Sequence, residues 1–156
     1  MEVRLISHVV LHTAASYDWK RKEVVHLSRA AVDRYHREAN GWRSLGYHWY
    51  VPQDGTGERG RDDGDIGAHV GGFNTGSLGL CWSGHGDFEP INAAQWAEAL
   101  RKCAQWCGLY RIPVAHVIGH REAPEFGAPP VHKTCPGTLV DMDEFRRELA
   151  QRLAET

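Results

Sequence analysis

An α/β fold, with one central mixed sheet covered by helices, is the architecture this sequence predicts. Three observations point to it. Apolar, β-branched runs alternate with segments of helical periodicity along the whole chain. Asp54-Gly55 follows an aromatic run at residues 47–51, the mark of a tight hairpin and hence of antiparallel pairing within the sheet. No linker, repeat or low-complexity stretch divides the 156 residues, a length that suits a single domain with its own core.

The elements follow in order. Residues 3–11 (V-R-L-I-S-H-V-V-L) read as a largely buried strand that gives way to a loop at His12. A first helix is expected from Lys20 to Glu38, with Val24, Leu27, Ala31 and Tyr35 as its apolar stripe and Asn40-Gly41 as its stop. Residues 47–51 form the second strand. Residues 57–76 carry seven glycines and six charges, so they are mostly loop with room for a short strand. Residues 77–83 (S-L-G-L-C-W-S) are a third buried strand, and Asn92 is placed to cap a second helix running to about Tyr110. Residues 114–118 make a fourth strand. Residues 141–155 close the chain as an amphipathic helix with Met142, Phe145, Leu149 and Leu153 on one side.

Composition narrows the function classes. A net charge of -2 gives no electrostatic case for a nucleic-acid or membrane-surface partner. Nothing approaches the ~20 apolar residues of a membrane span. Arg4, Ser7 and His8 interrupt the apolar start of the chain, so no signal-peptide core is visible and synthesis in the cytoplasm is expected. Cys103 and Cys107 share a helical face with Trp96 and Leu100, and Cys81 lies in a buried strand; all three read as core residues. Cys135 alone sits among loop chemistry.

That chemistry lies in residues 117–137, V-I-G-H-R-E-A-P-E-F-G-A-P-P-V-H-K-T-C-P-G, too rich in Pro and Gly to be one helix. A catalytic zinc needs three protein ligands and an open position, with His nitrogen and Cys sulfur among the preferred donors. His12 and His120 both fall where an apolar strand gives way to a polar loop, and the ends of different strands converge at one edge of an open sheet. With Cys135 they form the candidate trio, and Lys133 stands beside it. His132 is close to Cys135 and rivals His120 as a ligand. His116, four residues from His120, would be ~13 Å away along a strand, too far to share a metal. His8, on the same strand face as His12, is assigned to the core; His26 and His36 are assigned to the first helix as surface or structural residues. Tyr47, on its own, reads as a strand residue with its ring in the core. Glu122 is open between orienting a ligand and being a solvated loop carboxylate.

Six motifs occur in order: H-T-A-A-S from His12, G-W-R-S-L-G-Y-H-W-Y-V-P-Q-D-G-T, I-G-A-H-V-G-G-F-N, S-L-G-L-C-W-S-G, G-H-R-E and H-K-T-C-P-G. Together they resemble the zinc-dependent N-acetylmuramoyl-L-alanine amidases of type 2, especially the short phage-lysozyme branch, and more distantly the animal peptidoglycan recognition proteins. The resemblance covers about Val9 to Phe145. It implies a mixed sheet of about five strands with helices on both faces. It also implies hydrolysis of the amide between the lactyl group of N-acetylmuramic acid and L-alanine in peptidoglycan, with Zn2+ as cofactor. By motif, the zinc ligands are His12, His120 and Cys135, and the catalytic pair is Tyr47 and Lys133. His69 and Asn74, in the glycine-rich run 69–76, match a segment that lines the substrate groove in relatives.

Two departures stand out. Many relatives carry a glutamate in the S-x-G-x-E strand, where this chain has Cys81; the phage branch lacks that acid too. Between His120 and Cys135 lie 14 residues, more than is usual in the phage branch. The resemblance thus points to a single-domain phage or prophage endolysin, a monomer whose partner is peptidoglycan or a muropeptide and which acts on the wall after release. The alternatives are a cytoplasmic amidase that recycles muropeptides, which the missing glutamate disfavours, and a non-catalytic peptidoglycan-binding module, which the presence of Cys135 disfavours.

Overall fold

The computed structural model describes residues 4–131 and 133–155. Its strands are β1 (His8–Thr13), β2 (Tyr17–Asp18), β3 (Glu23–Val24), β4 (Trp49–Val51), β5 (Glu58–Arg59), β6 (Ser77–Trp82) and β7 (Val117–Gly119). Its α-helices are α1 (Arg29–Asn40), α2 (Ala93–Tyr110) and α3 (Met142–Ala154). Five strands make one sheet in the order β5-β4-β6-β1-β7. The pairs β4–β6, β6–β1 and β1–β7 are parallel, and the hairpin pair β4–β5 is antiparallel. The sheet is therefore mixed, as the Asp54-Gly55 turn predicts, with Gly55 at the φ of 81° that the turn demands.

Strand alternation divides the sheet's two faces. Val9, Leu11, Leu78, Leu80, Trp82 and Val117 point to one side. There they pack with Ala99, Cys103 and Trp106 of α2 and Phe145 and Leu149 of α3. This is the main core, each fully buried large apolar side chain contributing about 1.5–3 kcal/mol. On the other side Tyr50 and Cys81 meet Val32 of α1, while Val10 and Ile118 meet Ala123 and Ala128. Helices thus cover both faces, and His12 lies on the second.

Three local expectations are corrected. The first helix begins at Arg29, nine residues after Lys20. The intervening segment holds the hairpin β2–β3, in which Tyr17 pairs with Val24. The Asp18 carboxylate accepts from the Lys20 and Arg21 amides, both at 3.0 Å, and Lys22 takes a left-handed φ of 56°. Ser28 then caps the helix, accepting from the Ala31 amide at 3.1 Å. Consequently Tyr35 is exposed and the buried residues of α1 are Val32 and His36, while His26 lies outside the helix.

At the fourth strand, Pro113 starts a single 3-10 turn at Val114–His116, and only Val117–Gly119 pairs with β1. The first strand starts only at His8 and runs on to Thr13, so residues 4–7 lie outside it and His12 is inside it, opposite Cys81. The other expected elements stand close to their predicted places, α2 and α3 capped by the side chains of Asn92 and Asp141. Among the described residues no helix is long and apolar enough to cross a membrane.

Candidate metal centre

Parallel pairing of β1 with β7 sets Leu11 opposite Gly119. The next residues, His12 and His120, are therefore neighbours at the same edge of the sheet, with ring centroids 4.9 Å apart. The Cys135 Sγ lies 3.7 Å from His12 Nδ1. One donor atom from each of His12, His120 and Cys135 falls within 4.8 Å of the others. Donors bound ~2.0–2.3 Å from one tetrahedral zinc stand roughly 3.5 Å apart. The trio is thus close to a ligating arrangement, and its N, N, S donor set suits zinc.

Cys135 reaches this place because its loop is tied down on three sides. Thr13 donates through its hydroxyl to the Pro136 carbonyl at 3.0 Å and through its amide to the Cys135 sulfur. The Arg121 amide donates to the Cys135 carbonyl at 2.8 Å. The Arg121 guanidinium reaches the carbonyls of Thr134, Gly137 and Val140 at 3.2, 2.6 and 2.6 Å. On the third side, Gly86 lies so close that an added Cβ would sit 2.1 Å from the Pro136 carbonyl oxygen.

The segment between His120 and Cys135 also has a packing task. It opens as the 3-10 helix His120–Phe126, and Ala123 and Ala128 are buried against Val10 and Ile118. Glu122 belongs to this scaffold rather than to a ligand. It accepts from the Gly119 amide at 2.8 Å and forms a two-pronged ion pair with Arg146 of α3, both contacts at 2.9 Å.

The orientation of His12 follows from a chain of hydrogen bonds. Ser77 Oγ donates to the Phe73 carbonyl at 2.7 Å, and His69 Nε2 lies 3.3 Å from that Oγ. His69 Nδ1 lies 2.9 Å from His12 Nε2. One proton assignment satisfies the network: His69 donates from Nε2 to Ser77, and His12 donates from Nε2 to His69. His12 Nδ1 is left as a lone pair facing Cys135. Gly79 makes room for this, since a Cβ there would lie 2.7 Å from the His69 ring. Burial, with His69, His120 and Lys133 nearby, pushes the His12 pKa well below its ordinary value; burial and Lys133 lower that of His120. Both rings are thus neutral, as ligands must be. Burial pushes the Cys135 thiol up to about 11, so ligation must displace its proton.

Tyr47 flanks the trio, its ring 5.2 Å from that of His12. Burial holds its pKa well above the usual phenol value, with Cys81 and Cys135 nearby adding to the shift. It lines a cavity of about 250 Å³ with Ala14, Ala15, Leu27 and His36. Lys133 lines a second cavity of about 230 Å³ with Thr13, Ala15, His85 and Cys135. The structure thus gathers five of the predicted site residues at one sheet edge.

His69 and Asn74 are placed differently from the two groove contacts expected of them. His69 backs His12, and Asn74 accepts from the His69 and Val70 amides at 2.9 and 2.8 Å, holding their turn. No spacing in the sequence announces the His12–His69 pair, which forms because the Asn74-held loop before β6 lays the His69 ring over Gly79 beside β1. His132 lies outside the described residues. His116 stacks on His8 at 4.2 Å, remote from the trio.

Comparison with other proteins agrees with this geometry. The family model described as N-acetylmuramoyl-L-alanine amidase matches residues 2–138. The endolysin of Enterobacteria phage K11 is 43% identical over 110 residues, 67% of this chain and 66% of that one. The endolysin of Klebsiella phage KP32 is 35% identical over 93 residues, 60% of this chain and 58% of that one. The chain thus spans less than two thirds of these relatives. The structure of the N-acetylmuramoyl-L-alanine amidase LysC from Clostridium intestinale URNW superposes with a TM-score of 0.77 at 22% identity, covering 93% of this chain and 85% of that one. The chain belongs to the N-acetylmuramoyl-L-alanine amidase family.

Proposed function

We propose that this chain is a zinc-dependent N-acetylmuramoyl-L-alanine amidase of the phage endolysin type, cutting the lactyl–L-Ala amide of peptidoglycan as a single catalytic unit. The convergence of His12, His120 and Cys135 within 4.8 Å carries the reading. A zinc ion held by those three residues supplies Lewis acidity toward a water and the scissile carbonyl. The chain's own groups do the rest. The hydrogen bond to His69 fixes which nitrogen His12 presents. Tyr47, kept protonated by burial, offers an O–H to the oxyanion that forms as the carbonyl is attacked. Lys133, on the other side of the centre, places a cation near the same charge. Cys81, where many relatives have a carboxylate, is a buried thiol that donates to the Trp82 carbonyl at 3.4 Å and takes no proton from water.

The test is incubation of purified sacculi with the zinc-loaded protein, with and without a chelator, scoring new L-Ala amino termini. Release that the chelator abolishes and added zinc restores is expected. No release by the zinc-loaded protein would overturn the enzyme reading in favour of a peptidoglycan-binding module.

A further inference from the structure

One feature near the centre is unused by this chemistry: a cluster of aromatic rings on the β2–β3 hairpin and the loop after β6. Tyr17 stacks on Phe88 with centroids 4.3 Å apart and planes at 27°. Trp19 meets Phe88 edge-on at 5.7 Å and Tyr17 at 4.7 Å. Yet Trp19 is 71% exposed and Phe88 46%. Rings that organise one another but stay in solvent form a preassembled contact surface, the pattern of a binding site.

Its location says what it contacts. His85 packs edge-on against Phe88 at 4.7 Å and also lines the Lys133 cavity, so the ring cluster continues that cavity outward. The Lys133 and Tyr47 cavities share Ala15 and no other lining residue, so they lead from the centre in different directions. The scissile amide joins a lactyl sugar to a peptide, so one cavity receives the sugar and the other the peptide. The Tyr47 cavity, walled by Leu27, Val32 and Tyr35, suits peptide side chains. The Lys133 cavity is lined by the His85 ring, which leads on to Phe88, Tyr17 and Trp19, and a pyranose presents C–H faces that stack on such rings while its hydroxyls stay in water.

We infer that Tyr17, Trp19 and Phe88 form a sugar-stacking platform that holds the glycan strand on the Lys133 side of the centre. This rests on the amidase reading above. The probe is a β-1,4-linked N-acetylglucosamine tetramer, which carries no peptide, titrated into the zinc-loaded protein by calorimetry. Trp19→Ala and Phe88→Ala are expected to weaken binding on the order of 10-fold, the loss of about one good ring contact, and Trp19→Phe to retain most of it. The same variants should raise KM on sacculi and leave kcat on soluble muramyl dipeptide unchanged.

Absence of tetramer binding, or unchanged affinity in Trp19→Ala, would overturn the platform. So would binding to phosphatidylglycerol vesicles without tetramer binding, which would make Trp19 and the adjacent Lys20, Arg21 and Lys22 a membrane contact, or self-association through the rings. Failure of the zinc-loaded wild type to release L-Ala amino termini from sacculi while tetramer binding persists would instead refute the amidase reading and leave the platform standing.

Discussion

His12 Nε2 lies 2.9 Å from His69 Nδ1, and that contact decides which nitrogen of His12 faces Cys135. A ligand whose far nitrogen is engaged gives up less rotational freedom on binding and becomes a better donor. His69→Ala is therefore expected to lower zinc affinity roughly 10- to 100-fold while the protein stays folded. Competition with a chromophoric chelator measures this, and unchanged affinity would remove His69 from the centre's support. Gly79→Ala should act in the same direction, since its Cβ would press on the His69 ring.

For the ligands themselves, Cys135→Ser and His120→Ala are expected to purify without zinc. His132→Ala is expected to keep a full equivalent by elemental analysis. Zinc loss in His132→Ala would show that this residue, and not His120, completes the set.

Tyr47→Phe deletes one hydroxyl and leaves the ring beside His12. It is expected to reduce kcat by roughly 10²-fold, the scale of losing one oxyanion donor, with zinc content unchanged. Lys133→Ala should lower kcat as well, again with zinc bound. A change in KM alone would move either residue from the transition state to substrate binding.

Away from the site, Asp63 ties the loop after β5 to α2. Its carboxylate accepts from the Trp106 indole at 3.1 Å and the Tyr110 hydroxyl at 2.7 Å, and it pairs with Arg59. Burial raises its pKa, but the hydrogen bonds from Tyr110 and Arg59 outweigh that, and the net shift is downward. A depressed folded-state pKa contributes stability that is full above the unfolded value of ~3.9 and fades as pH falls through the lower folded one. Asp63→Ala is thus expected to cost about 1–3 kcal/mol near neutral pH by leaving buried donors unpaired. The variant should also lose less stability than the wild type on acidification below about pH 4. Chemical denaturation at several pH values checks both, and parallel acid profiles would contradict the assignment.

Much of the architecture is legible in local patterns. Period-2 and period-3.6 patterning located the main strands and helices, Asn92 announced the cap of α2, and Asp54-Gly55 announced the hairpin. Six ordered motifs singled out His12, Tyr47, His120, Lys133 and Cys135 as candidate site residues. Local signals misled where two states share a pattern. Val24 and Leu27 fit a helical stripe equally well, and a four-residue turn, residues 19–22, made the hairpin instead.

Contacts across strands and between loops come from packing alone. The loop before β6 put His69 behind His12, Arg121 carried the Cys135 loop, Ala123 and Ala128 gave the long insert its core contact, and Glu122 went to Arg146 rather than to a ligand. These pairings join residues far apart in the chain, so no local periodicity encodes them. They are set by which strands lie side by side, and strand adjacency is chosen by burial summed over the whole domain.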